Sequence, residues 1–178
     1  YLAGKVEVTA GAGEHWHAFV SHTVARKWAG LECLAGIPGL VGATPIQNVG
    51  AYGQEVRESI ARVEAYDLHT DRRVTFAADT CGFGYRDSRF KREDRGRYII
   101  LTVTYRLSPG GAPAVRYLDL ERLLVERAIL SPTLAEVRAA VLEIRRRKSM
   151  LLDRTDPNTR SAGSFFVNPI LTRAAFAA

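Results

Sequence analysis

A glycine-rich but apolar segment at residues 36–56, GIPGLVGATPIQNVGAYGQEV, limits what this chain can fold into more than any other stretch. It contains five glycines and two prolines, yet large apolar side chains fill the positions between them: Leu40, Val41, Ile46, Val49 and Tyr52. A solvated linker would be polar and rich in Ser, Lys or Glu. Because glycine permits positive φ and lets another group approach the main chain closely, the segment predicts a buried or half-buried backbone wrapped around something.

The glycines do not match two familiar phosphate-binding motifs. A P-loop ends in Gly-Lys-Ser/Thr, which this segment lacks. A Rossmann turn needs GxGxxG inside a βαβ unit, and neither is present. The residue types alone leave two structures open. One is a close-approach loop whose exposed amides suit a pyrophosphate and a flat ring system, and the other is a tight buried crossover that packs against a sheet.

The composition predicts one main hydrophobic core. The 178 residues are 47% hydrophobic, enough for one domain and part of another. No run of about eighteen apolar residues marks a membrane span, and no secretory signal precedes the first strand. Cys33 and Cys81 are too few for a disulfide framework, and no Cys/His cluster indicates a metal, so we expect a protein of the reducing cytoplasm. The chain starts at Tyr1 and ends in AAFAA, and we expect both ends to be cuts through a longer protein.

The charge favours partners that carry phosphate, since the net charge is +6 and the pI about 9.6. The basic residues concentrate in two runs, residues 86–97 and 145–154, in which acidic or apolar residues are interspersed. Few aromatic residues stand beside these runs, unlike the stacking platforms that bind single-stranded nucleic acid. We therefore expect a small phosphorylated ligand rather than nucleic acid.

Alternation of apolar and polar residues predicts strands at residues 5–10, 59–68, 73–78 and 98–107, the second and third forming a hairpin. One face of the last strand is predicted to carry Ile99, Leu101, Val103, Tyr105 and Leu107. Strands joined mostly by hairpin-type links, with helices between them, are typical of an α+β fold. The prediction is an antiparallel-rich sheet with flanking helices.

Helical spacing predicts helices from residue 14 to near Gly30, at residues 118–128 and at residues 131–148. The last is the clearest, because Thr133 and Glu136 form a capping box. Its apolar stripe consists of Leu134, Val137, Val141 and Ile144. Residues 145–148 then form a basic last turn, which the helix dipole favours and which we expect to be solvated.

Four motifs, taken together, resemble a known enzyme family. They are GAGEHWH (residues 11–17), LECLAGIPGLVGATPIQNVGAYGQEV (31–56), FGYRDSRFK (83–91) and RSAGSFFVNP (160–169). In order and spacing they are similar to the UDP-N-acetylenolpyruvoylglucosamine reductase (MurB) family, flavoenzymes of the vanillyl-alcohol-oxidase/PCMH type. The resemblance implies a second FAD-binding α+β domain at residues 1–148 and the start of a C-terminal substrate-binding domain at residues 149–178.

The resemblance also implies roles for individual residues. The flavin would lie on the glycine segment, with its pyrophosphate facing the amides of Gly42, Ala43 and Thr44 and its ring near Gln47, Asn48, Gly50, Ala51 and Tyr52. Arg86 would stabilise the enolate formed on the substrate, since a guanidinium offers a fixed fork of donors and keeps its charge. Ser164 would deliver the proton. Substrate-binding positions are matched by Tyr85, Arg86, Tyr117, Lys148 and Asn168.

The implied reaction is the NADPH-dependent, FAD-mediated reduction of UDP-N-acetylglucosamine enolpyruvate to UDP-N-acetylmuramate in peptidoglycan synthesis, by a monomeric enzyme. The family's first flavin domain and its catalytic glutamate have no counterpart in residues 1–178, so we expect this chain alone to be inactive. Two alternatives stay open: another vanillyl-alcohol-oxidase-type flavin oxidoreductase, which would not need Arg86 and Ser164 together, and a sugar-nucleotide-binding fragment without turnover.

Overall fold

An antiparallel sheet organises the protein in a computed structural model that describes residues 4–159 and 168–177. The strands are β1 (Val6–Gly11), β2 (Trp28–Ala29), β3 (Gly50–Ala51), β4 (Gln54–Glu55), β5 (Ile60–Asp67), β6 (Arg72–Ala77) and β7 (Tyr98–Pro109). The four long strands follow the order β1-β7-β5-β6, and β2 pairs with residues 108–109 at the end of β7. A separate small hairpin is formed by β3 and β4.

The helices are α1 (Trp16–Ala25), α2 (Thr44–Gln47), α3 (Leu118–Glu126), α4 (Leu134–Arg147) and α5 (Arg173–Ala177). Single 3-10 turns occur at Glu32–Leu34, Val41–Ala43, Val56–Glu58 and Ala78–Cys81. The rings of Trp16 and Phe19 in α1 lie 5.8 and 5.0 Å from that of Tyr105 in β7, so α1 packs on the sheet. In turn α4 packs against α3 and the turn Glu32–Leu34. Across the described ranges, no helix has both the length and the apolar character that crossing a bilayer requires.

Most predicted elements are confirmed with shifts of a few residues. The hairpin of β5 and β6 forms, and a capping box between Thr133 and Glu136 begins α4. The apolar stripe of α4 is buried, as predicted. The first helix, however, ends at Ala25 and not near Gly30. The chain turns at Lys27, whose φ is +57°, and enters β2 at Trp28.

The predicted face of β7 is wrong in its first half because of a β-bulge. Glu64 pairs with Thr102 and Ala65 pairs with Ile100, so Leu101 between them has no counterpart on β5. A bulge of this kind reverses the alternation of side chains along the strand. Ile100 is therefore buried, while Ile99 is 52% exposed. In the second half the prediction is confirmed for Val103, Tyr105 and Leu107, which are all buried.

The glycine segment fixes the position of the candidate site. Its first part lies along β1, where the N–H of Gly42 donates to the carbonyl of Ala12 at 2.9 Å. A Cβ added to Gly42 would lie only 2.6 Å from that of Ala12, so a side chain would push the two segments apart. Val41 is buried whereas Leu40 and Ile46 are exposed, which confirms a half-buried segment. The second part forms the hairpin of β3 and β4, and it borders a cavity.

Candidate functional site

One cavity of about 840 Å³ brings together most of the predicted site residues. Its walls come from the glycine segment and the residues that follow it, the turn at residues 85–86, the residue just before α3, the end of α4, and residue 168. The predicted residues that line it are Gln47, Gly50, Ala51, Tyr52, Tyr85, Arg86, Tyr117, Lys148 and Asn168. Four others lie away from its lining: Gly42, Ala43, Thr44 and Asn48. Ser164 lies outside the described residues.

The three amides predicted to face a pyrophosphate are already used by the protein. The N–H groups of Gly42, Ala43 and Thr44 donate to the carbonyls of Ala12, Leu40 and Val41, in that order. Thr44 is also buried, and its hydroxyl lies 2.8 Å from the hydroxyl of Tyr105. The predicted contact of these amides with a pyrophosphate stays a prediction. Ala12 directly follows β1, and Leu40 and Val41 belong to the glycine segment itself. The bonds of Gly42 to Ala12 and of Thr44 to Tyr105 therefore fasten the glycine segment to the sheet.

Asn48 is buried and supports the cavity wall from behind. Its side-chain amide donates to Glu55 at 3.0 Å and to the carbonyl of Gly84 at 2.7 Å, while its oxygen accepts from the N–H of Arg57 at 3.2 Å. Its φ of +44° lies in the left-handed region, which Asn adopts more readily than most residues. Asn48 thus ties the β3–β4 hairpin to the turn that carries Arg86, and its predicted place near the flavin stays a prediction.

Arg86 lies against the hairpin and is held chiefly by main chain. Its Nη2 donates to the carbonyl of Gly50 at 2.6 Å, and its guanidinium stacks over the ring of Tyr85 with 5.1 Å between Cζ and the ring centroid. The Nη1 atom is 3.7 Å from Glu55, a longer separation than the 2.7 Å between Glu55 and Arg57. A guanidinium has five N–H donors, so most of those on Arg86 are available to a ligand carboxylate.

Gly50 makes this arrangement possible. A Cβ added there would lie 2.6 Å from Nη1 of Arg86 and 2.8 Å from Cγ of Glu55. The missing side chain therefore lets the guanidinium lie directly on the main chain. The neighbouring Gly53, with φ of +78°, would bring a Cβ within 2.9 Å of Arg116. Both glycines of the hairpin are needed for packing, and Gly53 is needed for its conformation as well.

A second part of the cavity combines tyrosines with a lysine. The ring of Tyr52 is buried and meets that of Tyr117 edge to face, 5.4 Å between centroids. Burial raises the pKa of the Tyr52 hydroxyl, against the opposing effect of the positive charge of Arg145. The ammonium of Lys148 lies 2.9 Å from Asp119, and this bond raises the pKa of Lys148. Lys148 therefore keeps its charge at the cavity wall.

Arg145 is the cavity residue that sequence reasoning missed. We expected it in a solvated last turn, but it is only 8% exposed and lines the cavity. Its Nη2 donates to the carbonyl of Met150 at 3.0 Å. The position of Arg145, four residues after Val141 and one after Ile144, continues the buried stripe of α4. This spacing is the signal that could have identified it as facing inward.

The cavity wall fits a flat, partly polar ligand. Residues 49–54 border the space, and Gly50 and Gly53 among them carry no side chain. Tyrosine rings, four cations, the carboxylates of Glu55 and Glu58 and a few apolar side chains also line it, and aromatic and apolar groups with a few placed polar ones are typical of cofactor sites. The residues that remain in the lining from the predicted flavin site, among them Gln47, Ala51 and Tyr52, therefore fit a flavin ring that lies along the hairpin.

Comparison with known proteins gives a consistent family. A family model described as an FAD binding domain matches residues 3–74. The chain is 53% identical over 173 residues to a Salinispora arenicola protein named UDP-N-acetylenolpyruvoylglucosamine reductase. This alignment covers 96% of the chain and 47% of that protein. It is 49% identical over 170 residues to a protein of the same name from Cutibacterium acnes, covering 95% of the chain and 45% of that protein.

A solved structure agrees with the fold. The crystal structure of UDP-N-acetylenolpyruvylglucosamine reductase (MurB) from Thermus caldophilus matches with a TM-score of 0.55 at 22% identity, over 88% of this chain and 51% of that one. The chain spans about half the length of the curated relatives it matches. Within that span about half of the aligned residues are identical, and almost none of the chain is left unaligned. Over nearly its whole length the chain is similar to proteins named UDP-N-acetylenolpyruvoylglucosamine reductase.

Proposed function

We propose that this chain binds FAD and UDP-N-acetylglucosamine enolpyruvate, and takes part in the NADPH-dependent reduction that yields UDP-N-acetylmuramate for peptidoglycan. The observation that carries the proposal is the convergence of Arg86, Lys148 and the β3–β4 hairpin on one cavity. These parts are separated in sequence, yet they enclose one space suited to an anionic, partly flat ligand. The names of the half-identical relatives supply the choice of substrate.

In this proposal the flavin supplies the reducing chemistry, and the residues of this chain bind and orient the reactants. When bound, FAD supplies a hydride equivalent that originates from NADPH. Gln47, Ala51 and Tyr52 would hold the ring against the hairpin, where main chain borders the cavity. The residues of this chain would then orient the substrate and stabilise the charge that develops on it.

Arg86 is proposed to bind the carboxylate of the enolpyruvyl group. Addition of a hydride to the vinyl carbon places negative charge on the adjacent carbon and carboxylate, and a guanidinium fixed beforehand stabilises this charge without reorganising. The bond from Arg86 to Gly50 and its stacking on Tyr85 provide that fixation. Its weak ion pair with Glu55 leaves the positive charge largely available to the ligand.

The remaining predicted residues are proposed to complete the substrate site. Ser164 would give a proton to the substrate carbon, a role that rests on the resemblance of the AGSFF motif alone. Lys148 and Asn168 would bind phosphate or other polar groups of the sugar nucleotide, and Tyr117 would pack against it. We also propose that residues 1–148 form one domain, that residues 149–178 belong to a substrate-binding domain, and that the protein acts as a cytoplasmic monomer.

Flavin binding and turnover test this proposal separately. A form of the protein that spans the full length of its curated relatives is purified, and it is used in every activity assay below. It is titrated with FAD while flavin fluorescence is followed, and the flavin absorbance is then bleached anaerobically with NADPH. We expect the absorbance to return on addition of UDP-N-acetylglucosamine enolpyruvate and not of UDP-N-acetylglucosamine. The Salinispora arenicola relative, treated in the same way, is the positive control. Return of absorbance only with oxygen would indicate a different flavin oxidoreductase, and nucleotide binding without any flavin reduction would indicate a binding module.

A further inference from the structure

We infer that Arg145 forms an anion subsite in the wall of the cavity and binds a phosphate oxygen of a nucleotide ligand. This inference deepens the proposed function and rests on it for the identity of the ligand. The anion subsite is defined here as the guanidinium of Arg145 together with the part of the cavity lined by Tyr52, Lys148 and Met150. Nothing in the sequence comparison assigns a role to Arg145.

The first observation is burial of a charge that lacks a counter-ion. Arg145 is 8% exposed, and its Nε is buried with no hydrogen-bond partner within the described part of the chain. Within residues 4–159 and 168–177 the guanidinium has neutral acceptors, the carbonyl of Met150 at 3.0 Å and the hydroxyl of Tyr52, and no carboxylate within 4.0 Å. A buried charge is costly unless it is paired. The protein therefore keeps at this position a cation whose stabilisation requires an anion from outside the described residues.

The second observation is that the other cations of the cavity are already paired. Arg57 and Arg86 share Glu55, at 2.7 and 3.7 Å, and Lys148 pairs with Asp119 at 2.9 Å. Among the described residues Arg145 differs from these three in having no carboxylate within 4.0 Å. It is thus the cavity cation with the most unsatisfied charge.

The third observation is that packing fixes the guanidinium in place. Gly36, with φ of +75°, faces it so closely that an added Cβ would lie 3.2 Å from Nε and 2.8 Å from Leu142. The bond to Met150 holds the other end of the group. A guanidinium held in this way loses little further entropy when it binds a phosphate, and its fork geometry matches phosphate oxygens.

A structural alternative makes the opposite prediction for stability. If Arg145 served only to cap the end of α4 through Met150, its replacement by Met would destabilise the protein. If it is an uncompensated buried charge awaiting a ligand, Arg145→Met removes that charge while keeping most of the apolar stem. The free protein should then melt at the same temperature as wild type or higher.

The experiment compares wild type with Arg145→Met, Arg145→Lys and a matched control, Arg146→Met. Arg146 lies in the same helical turn and is exposed, so the control removes the same charge without touching the cavity. Melting temperatures are measured without ligand and with inorganic pyrophosphate. We expect pyrophosphate to stabilise wild type and Arg146→Met alike, Arg145→Lys partly, and Arg145→Met hardly at all, because a ligand stabilises the folded state in proportion to its affinity.

Titration calorimetry with UDP-N-acetylglucosamine and, separately, with FAD identifies the source of the phosphate. We expect Arg145→Met to weaken one of them about 10- to 100-fold, as the loss of a charge-assisted hydrogen bond does. The inference is overturned if pyrophosphate raises the melting temperature of Arg145→Met as much as that of wild type, or if it does not raise that of wild type. This holds whatever the melting temperatures of the free proteins are. A pyrophosphate shift that depends on Arg145, in a protein that binds neither nucleotide, would uphold the anion subsite while rejecting the proposed function.

Discussion

Gly50→Ala is the sharpest test of how the cavity holds Arg86. The added Cβ would lie 2.6 Å from Nη1 of Arg86, where ordinary contact begins at 3.4 Å, so the guanidinium must retreat by about 0.8 Å. Glu55 must also move, since its Cγ would be 2.8 Å away. The φ at Gly50 lies outside the region that alanine avoids, so the backbone can accept the substitution. The change therefore displaces a functional side chain while sparing the fold.

The expected magnitudes follow from this geometry. A misplacement of about 1 Å costs on the order of 10²-fold in rate, so kcat/KM for reduction of the enolpyruvyl substrate should fall by roughly that factor. Two of the crowded groups are side chains that can shift, and the third is the backbone oxygen of Gln54, which would lie 3.1 Å from the added Cβ and must give by a few tenths of an ångström. One hydrogen bond, from Arg86 to Gly50, is at risk. Losing it costs about 1 kcal/mol, which lowers Tm by about 2–4 °C in a chain of this size.

The assay pairs steady-state kinetics with thermal unfolding, and Gly13→Ala is the control. A Cβ at Gly13 meets nothing within 4 Å and its φ is not positive, so this variant should match wild type in both measurements. Normal turnover in Gly50→Ala would show that the position of Arg86 is not critical. A fall in Tm much larger than a few degrees would show that the hairpin, and not Arg86, depends on Gly50.

Three further outcomes are expected. Arg86→Ala should lower kcat by about 10²–10³-fold with little change in FAD affinity, because one preorganised charge donor is lost; unchanged kcat would remove Arg86 from the reaction. Ser164→Ala should leave NADPH reduction of the flavin intact and slow its reoxidation by substrate in stopped-flow traces, and equal slowing of both steps would indicate a structural role. His17 accepts from the N–H of Gly36 at 2.9 Å, and burial, together with the positive charge of Arg138, lowers its pKa below 6.5. Its neutral form therefore stabilises the fold fully above pH 6.5, and the contribution falls as pH drops from 6.5 through the lower folded-state pKa. His17→Asn, which retains an acceptor but does not titrate, should show a flatter dependence of Tm on pH across this window, and parallel curves would contradict the assignment.

Local patterns in the sequence predicted the elements whose signals are themselves local. The capping box at Thr133 and the apolar stripe after it defined α4, and period-two alternation defined the β5–β6 hairpin, because neighbouring residues decide both features. Alternation could not reveal the bulge at Leu101, since residues 98–101 are all apolar and fit either face, and the offset exists only relative to β5. The strand was predicted correctly, but which of its side chains are buried before the bulge depends on how it pairs with β5.

The candidate site was predictable only in part, and mostly through family resemblance. Nothing in the spacing of Gly50 and Arg86, 36 positions apart, indicates that they touch. The amides of residues 42–44 looked available because the sequence does not show that they donate to the carbonyls of Ala12, Leu40 and Val41. Arg145 was read as solvated because a basic run at a helix end usually is. In each case tertiary contacts decided the outcome.

The irregular pairing of β5 and β7 has a consequence for the fidelity of folding. One extra residue stands on β5 near Ala61, where pairing jumps from Ile60 to Arg62, and another stands on β7 at Leu101. A strand that slips by one position normally turns every side chain to the wrong face. Here one extra residue lies on each strand. A pairing that slips by one position would therefore turn side chains to the wrong face and also place the extra residues opposite the wrong positions of the other strand. The central pair of the sheet is therefore restricted to a single alignment.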